Sequence, residues 1–527
     1  MTNSNEEKRY FRPEWTCGRY NAEKHVALMY NLIAGYSYFF ESYSADVVGQ
    51  VLSVGRNCEV KVTEVVQNTG IAEESIDPFF EQFVEIGLLT PAIPTRDDIR
   101  NYRTFLAKQK RQEQQKVKTT KEKLPFDISS AEQDYFNAVD DGETVTSVMF
   151  ELTYNCSEKC IHCYNPGATR NDEEVSHRGD REELDLVDYK RIIDDLCAHG
   201  LVKVCLSGGD PFSKPIVWDI IDYLYQKEVA FDVFTNGQRI VDKVEKLVNY
   251  YPRLVGVSIY SGLAEDHDAI TRVPGSWERS MKVVEQLSDL AVPMNLKCCI
   301  MQPNLHSYYL VADIAKKYGA APQFEININD SIEGDQCSRQ LRLTEEQFQV
   351  VLRDDNIPYY VGPEAPGFGG QPRPLDVNGC GAGNTSFCIT PDGNFQPCCA
   401  FPMPFSNLKN HSVKEILTES QLLKEWRSAT LQQYEDCGKH DCCAYCNLCA
   451  GNNYVEHGDF RKPAENNCTM AKIRCNMALQ MMQGYDSLHG QDFVTALQAL
   501  PKSKVDLKRM YDTKGINGVS RSTPVTD

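Results

Sequence analysis

The chain has no run approaching about 18 consecutive apolar residues, the length a helix needs to cross a bilayer, so no membrane span is expected. Its first nine residues, Met-Thr-Asn-Ser-Asn-Glu-Glu-Lys-Arg, lack the apolar core of a secretion signal, and a cytoplasmic location is the expectation. Positive charge is also in deficit. Against 74 Asp and Glu stand 55 Lys and Arg, a net charge of −19 that disfavours a nucleic-acid partner. Cysteine, by contrast, is abundant. Twenty-one of them, an odd number in a reducing compartment, do not read as a disulfide scaffold. More than half fall between Cys380 and Cys475, and three more share one short run, which is how metal ligands are distributed. The 527 residues, 42% of them apolar, suffice for about three packed domains.

The short run is Cys-Ser-Glu-Lys-Cys-Ile-His-Cys, which places Cys156, Cys160 and Cys163 just after a strand-like apolar segment. Three thiolates at this C-x3-C-x2-C spacing can face one cubane iron–sulfur cluster. A cubane has four irons, so one is left open for a ligand, whereas structural clusters and zinc sites fill every position from the protein. A zinc loop or scattered thiols is the competing reading.

From residue 145 onward, strand-length apolar runs recur at 145–152, 202–206, 231–235, 254–260, 295–301 and 324–329. Helix-length amphipathic stretches alternate with them at 185–198, 216–227, 239–250, 276–290 and 307–318. This alternation argues for a parallel α/β sheet, with ligands gathering at the carboxyl ends of the strands. Ahead of it, residues 20–40 read as a β-hairpin, and 45–54, 58–68 and 74–86 as helices, an α+β module. Residues 100–123 are basic (Lys108, Lys110, Arg111, Lys116, Lys118, Lys121 and Lys123) and read as a solvated helical linker. Residues 330–379 are rich in Pro, Gly and Asp. The tail has a helical stretch at 493–500, and disorder is expected over 512–527.

The cysteine spacing resembles that of radical S-adenosylmethionine (radical SAM) enzymes. The resemblance implies an α/β fold, a partial (β/α)6 radical SAM barrel. In that family the open iron chelates the amino and carboxylate groups of SAM, and electron transfer then yields a 5′-deoxyadenosyl radical. His162 takes the place of the flat residue near the adenine. Gly208, Gly209 and Asp210 in Ser-Gly-Gly-Asp-Pro stand where the family approaches the SAM ammonium, with Asp in place of the usual Glu. Asn236 in Thr-Asn-Gly resembles the ribose-contacting turn. Ser258 and Arg272 stand where similar enzymes hold the SAM carboxylate, an Arg giving a two-point clamp.

The second cysteine field resembles a SPASM domain, which holds two auxiliary 4Fe–4S clusters. Cys380 is followed after twelve residues by Gly393 and after four more by Cys398, with an Asp-Gly hairpin turn between. The resemblance implies Cys380, Cys388, Cys398 and Cys449 for one cluster. It implies Cys437, Cys446, Cys468 and one of Cys442, Cys443 or His440 for the other, because the spacing sets His440 where the pattern has Cys. Two zinc sites are the alternative. Cys399 and Cys475 read as structural thiols.

The N-terminal module resembles the winged-helix peptide chaperone of pyrroloquinoline quinone biosynthesis, which implies recognition of a leader peptide by strand addition. The expected organisation is a leader-recognition domain at 1–100, a linker at 101–144, the barrel at 145–335, a bridge at 336–379, the SPASM domain at 380–483 and a tail at 484–527. The expected function is radical modification of a ribosomally made peptide, forming a crosslink. The cofactors are SAM and three 4Fe–4S clusters, and the partners a precursor peptide with leader and an electron donor such as flavodoxin or ferredoxin. Formylglycine maturation of a sulfatase, chemistry on a small molecule, and a non-catalytic multi-cluster electron carrier are the other readings.

Overall fold

The structure, a computed structural model, describes residues 8–116, 129–165, 182–333, 336–485, 492–505 and 507. The disorder expected over 512–527 and the end of the basic linker lie outside these residues.

Three strands open the chain: β1 (Thr16–Asn21), β2 (Val26–Asn31) and β3 (Tyr36–Glu41), an antiparallel meander in that order. The expected hairpin therefore has an additional strand. Period-two alternation explains the arrangement. Ala27 and Met29 face a core with Val47, Val51, Phe80 and Phe83, contributed by α1 (Ser42–Ser53) and, beyond α2 (Val62–Thr69), by α3 (Glu73–Glu85). Cys17, Leu28 and Tyr30 point the other way, into a core shared with Val202, Ala230 and Tyr251. Helix α2 starts four residues later than expected, because Glu59 is held in a bridge to Phe11, which also bridges Thr90.

The basic segment is a helix, α4 (Arg96–Lys116), but not a freely solvated one. Arg103 is buried and donates to the carbonyls of Leu290 (3.2 Å) and Val248 (3.3 Å), and Arg111 pairs with Asp289. Helix α5 (Ser129–Val139) then packs on β2 and β3, with Tyr135 edge-on to Phe39.

The central element is a sheet of six parallel strands in chain order: β4 (Ser147–Thr153), β5 (Lys203–Gly208), β6 (Ala230–Thr235), β7 (Leu254–Ser258), β8 (Met294–Cys299) and β9 (Ala321–Glu325). Between them run α6 (Leu186–Ala198), α7 (Val217–Gln226), α8 (Val244–Val248), α9 (Ala264–Thr271), α10 (Ser276–Asp289) and α11 (Leu310–Tyr318). This is the expected (β/α)6 arrangement. Val148, Phe150, Val204, Leu206, Val233, Val257 and Leu296 face the helices in one continuous core. The intervening residues, among them Glu151, Cys205, Asp232, Phe234 and Lys297, line the opposite, inner face. Parallel strands buried on both faces are usually uniformly apolar; this alternation marks an inner face that does chemistry.

Three elements differ from expectation. Helix α9 lies between the expected stretches at 239–250 and 276–290 and is additional to them. The helix expected over 239–250 is reduced to α8, since Gln238 is drawn away to Ser276 O (3.0 Å) and Ser280 Oγ (2.9 Å). The last strand ends at Glu325, not at 329. The Glu325 carboxylate captures the amides of Ile326 (2.9 Å) and Asn327 (2.8 Å), which ends the ladder.

After α12 (Glu345–Val351) the chain returns to the sheet. β10 (Ser386–Ile389) pairs in parallel with β4, and β11 (Asn394–Gln396) and β12 (Ser406–Asn407) follow antiparallel, giving nine strands in all. The expected hairpin is thus present, but it extends the barrel sheet instead of standing apart from it. Helices α13 (Val413–Glu419), α14 (Gln421–Ser428), α15 (Ala450–His457), α16 (Glu465–Met482) and α17 (Phe493–Ala499) complete the described chain.

Candidate active site

The cysteine run leaves the carboxyl end of β4 and is clamped from several sides by backbone. Gly209 N donates to Thr153 O (2.7 Å) and Asp210 N to Asn155 O (3.0 Å). From the run itself, Lys159 N and Ile161 N donate to Thr271 O and Ile270 O at the end of α9, both at 3.0 Å. The two glycines serve this contact. A Cβ on Gly208 would lie 2.4 Å from Thr153 O, and one on Gly209 would lie 2.4 Å from Asn155 O. Gly208 also has φ +118, which a side chain would strain.

Cys156, Cys160 and Cys163 converge. Cys160 is affected electrostatically by both Cys156 and Cys163, and Cys156 by Cys163, while burial pushes the Cys156 thiol up to about 12 and the Cys160 thiol well above the usual range. The Asn236 side chain donates to Cys156 Sγ (3.3 Å), as does Glu158 N (3.4 Å). Such donors stabilise thiolate charge and tune a cluster. Asn236, for which a contact to the SAM ribose was the expectation, thus stands beside the first cysteine. Asp210 is fully buried, and its carboxylate is filled by Phe212 N (2.9 Å), Thr235 Oγ1 (2.8 Å) and Asn236 N (3.2 Å). It ties the β5 turn to the β6 turn, and any contact it makes to SAM would come from backbone.

His162 meets the Tyr260 ring edge-on at 4.6 Å, and its Nδ1 is buried without a hydrogen-bond partner among the described residues. Burial holds this imidazole down at about 4 and His267, stacked on the other side of Tyr260, also at about 4. Ser258 hydrogen-bonds the Tyr260 hydroxyl. Tyr260 was missed by sequence reasoning; an aromatic two residues beyond a strand-end Ser was the available signal. Arg272 caps α9 in a left-handed conformation and is exposed. The cation facing Glu158 is instead Arg279 on α10, whose Nε donates to Gln238 Oε1. Glu158 itself is 3% exposed, and burial raises its carboxyl to about 8.

The second cysteine field divides into two groups. Cys398 is affected electrostatically by both Cys380 and Cys449. Cys388 lies fully buried on β10 with Cys398, Cys399 and Glu151 as its charged or ionisable neighbours. Cys399 hydrogen-bonds Tyr164, the residue after Cys163, so this thiol lies between the two fields. The other group surrounds a cavity of about 340 Å³ lined by Cys437, Cys442, Cys443, Cys446, Cys468 and His440. Cys443 acts electrostatically on Cys437, Cys446 and Cys468 alike, whereas Cys442 acts on Cys468 and is itself affected by Cys443 and Cys475. His440 is 61% exposed, with Asp436 at 3.6 Å. Among the described residues no set of thiols is already gathered into a metal cage; the soft thiol donors of the three sets, the first with three cysteines, are nonetheless the chemistry that iron–sulfur clusters take.

Two family models match. The radical SAM superfamily covers residues 150–304, and the iron–sulfur cluster-binding SPASM domain covers 380–450. The chain carries a radical SAM domain followed by a SPASM domain and is a radical SAM enzyme. Among its relatives, it is 27% identical over 336 residues to the antilisterial bacteriocin subtilosin biosynthesis protein AlbA of Bacillus subtilis, covering 61% of this chain and 70% of that one. It is 24% identical over 343 residues to the AdoMet-dependent heme synthase of Methanosarcina barkeri, covering 59% and 93%. The fold is similar to that of Streptococcus suis SuiB bound to precursor peptide SuiA, with a TM-score of 0.51, 13% identity, and coverage of 87% of this chain and 99% of that one.

Proposed function

We propose that the chain modifies a ribosomally made precursor peptide, oxidising it to a crosslinked product in the cytoplasm. Three cysteines at C-x3-C-x2-C spacing, placed at the carboxyl end of the parallel sheet, carry the reading. Cys156, Cys160 and Cys163 would hold the SAM-binding 4Fe–4S cluster. Ser258 and either Arg272 or Arg279 would hold the SAM carboxylate, with Arg279 favoured by its place beside Glu158 and Gln238. Gly208, Gly209, Asp210, Asn236 and His162 complete that pocket. Cys380, Cys388, Cys398 and Cys449 would hold one auxiliary cluster and Cys437, Cys446, Cys468 and Cys443 the other. The last choice rests on Cys443 facing all three partners, and it sets His440 and Cys442 aside. When bound, SAM and its cluster supply a hydrogen-abstracting radical. A crosslink removes two hydrogens from the peptide, one as an atom and the other as a proton plus an electron, and the cysteines of the second field would hold a cluster able to take that electron. A flavodoxin or ferredoxin would supply the priming electron.

A peptide substrate is supported by the N-terminal module. β3 is the edge strand of the described three-stranded sheet, and Phe40, Phe79 and Phe83 form an aromatic wall beside it. AlbA, a bacteriocin biosynthesis protein, and SuiB, bound to a precursor peptide, point the same way. The heme synthase relative favours a second reading, chemistry on a small molecule. The test is anaerobic incubation of the reduced, cluster-loaded chain with SAM and a short peptide encoded beside it. Formation of 5′-deoxyadenosine with a peptide mass loss of two hydrogens supports the proposal. 5′-Deoxyadenosine without any change in the peptide would favour the second reading.

A further inference from the structure

The segment that follows α17 serves none of the chemistry above, yet it reaches the cysteine run. α17 itself is fixed in place. Leu497 is fully buried, the helix packs on α12, and Gln498 Nε2 donates to His306 O (3.0 Å). Leu500, just beyond the helix, is buried too. Pro501 prevents the helix from continuing, and the chain then alternates: Lys502 and Lys504 are exposed, while Ser503, Val505 and Leu507 are half-buried.

Val505 and Leu507 pack on an apolar cluster of Ile161, Ile270, Met301, Ile328 and Leu341, each of them at most 3% exposed. The place of that cluster in the fold gives the contact its meaning. Ile161 belongs to the cysteine run, between Cys160 and His162. Ile270 on α9 takes the Ile161 amide on its carbonyl. Met301 and Ile328 follow the carboxyl ends of β8 and β9. Tyr260, which meets His162 edge-on and whose hydroxyl lies 4.0 Å from Cys160 Sγ, packs on the same cluster. The segment therefore crosses the carboxyl end of the sheet and covers the flank of the run at Ile161.

Its hold there is shallow. Among the described residues, no hydrogen bond ties 501–505 or Leu507 to the barrel; Val505 N bonds Ser503 Oγ within the segment (3.2 Å). Two aliphatic side chains, each still partly in water, supply the attachment. A segment with so few apolar contacts and no ladder opens locally without unfolding the molecule.

We infer that the segment bearing Val505 and Leu507 is a reversible strap over the cysteine run. Seated, it keeps solutes from the flank at Ile161; lifted about Pro501, it opens that flank to them. The inference rests on the reading of Cys156, Cys160 and Cys163 as the holders of the SAM-binding cluster. Cover of this kind excludes water from a reactive site and prevents side reactions.

The test compares the wild-type chain with Val505→Ser/Leu507→Ser, both cluster-loaded, during anaerobic exposure to the ferrous chelator bathophenanthroline disulfonate. Samples withdrawn at intervals are reduced and given SAM, and EPR reads the SAM-shifted signal separately from those of the auxiliary clusters. The double variant is expected to lose the SAM-shifted signal about fivefold faster than wild type, with the auxiliary signals lost at the wild-type rate. Fivefold is about 1 kcal/mol in the opening equilibrium, which two half-buried aliphatic side chains can supply. Lys504→Ser, on the exposed side of the segment, is expected to change neither rate. An unchanged or slower loss in the double variant, faster loss of all clusters together, or the same acceleration by Lys504→Ser overturns the inference. The Tm of the double variant is expected within about 2 °C of wild type; a larger fall would make the two side chains part of the core and overturn it as well. Should the reading of the three cysteines fail instead, the wild-type chain shows no SAM-shifted signal before any chelator is added.

Discussion

Individual residues around the cysteine run explain themselves by space and by charge. Gly209→Ala places a methyl group against two backbone carbonyls that cannot yield without moving Cys156. The variant is expected to fold with about 1–3 kcal/mol lost, the cost of overpacking, and to lose the EPR signal of the SAM-binding cluster while keeping auxiliary iron. Glu151 offers a pH test. It is 1% exposed, its only described hydrogen bond comes from Tyr154 (3.1 Å), and burial raises its carboxyl to about 7 from 4.5. A raised folded value means the folded state holds the proton more tightly, so this stabilisation is complete below about 4.5 and lost as pH climbs through 7. His267 has the opposite sign: depressed to about 4 from 6.5, it stabilises above 6.5 and the contribution is lost as pH falls toward 4. Urea titrations of Glu151→Gln are expected to remove the first slope and leave the second; an unchanged slope between pH 4.5 and 7 would place the carboxyl in water.

At the level of elements, α4 is the instructive case. Its composition reads as a solvated linker because charge dominates every turn, yet Arg103 spends its guanidinium on carbonyls at the ends of α8 and α10 and lies 6% exposed. Arg103→Ala is expected to cost about 2–4 kcal/mol in chemical denaturation, since it strips buried carbonyls of a charged donor. Exposed Lys108→Ala should cost nothing measurable. What was legible in advance follows the same logic. The six strands and most of the helices between them, α9 excepted, were readable because apolar residues alternate along the strands, and the first cysteine run because its spacing is local. The third strand of the N-terminal meander and the docking of α4 were not, because each depends on contacts between residues far apart in the chain. Arg279 is a further case: nothing local in the sequence singles it out, yet from α10 it acts electrostatically on Glu158 within the cysteine run.

For the molecule as a whole, the N-terminal module is not a loosely tethered appendage. Arg12 is fully buried, pairs with Glu228 on the barrel and donates to Val54 O at 2.7 Å within its own module. Arg19 adds a bond to Leu201 O (2.8 Å), and Cys17, Leu28 and Tyr30 share a core with Val202, Ala230 and Tyr251. Calorimetry of the wild-type chain is therefore expected to show the module and barrel melting in one transition. Arg12→Ala, which leaves Glu228 unpaired, should lower it by several degrees or split it in two; an independent melt of the module in the wild type would refute this coupling.

The place of β10 beside β4 also bears on how the chain is made. Roughly 230 residues separate the two strands, so at about 5–20 residues per second a ribosome leaves the β4 edge without its neighbour for some tens of seconds. During that interval the nascent barrel presents an open rim of amides and carbonyls, the kind of surface that recruits other chains. Fragments stopped before Ser386 should consequently precipitate even though every helix and strand of the barrel is present, and the cysteine-rich segment would act, before any iron arrives, as the seal that keeps newborn molecules apart.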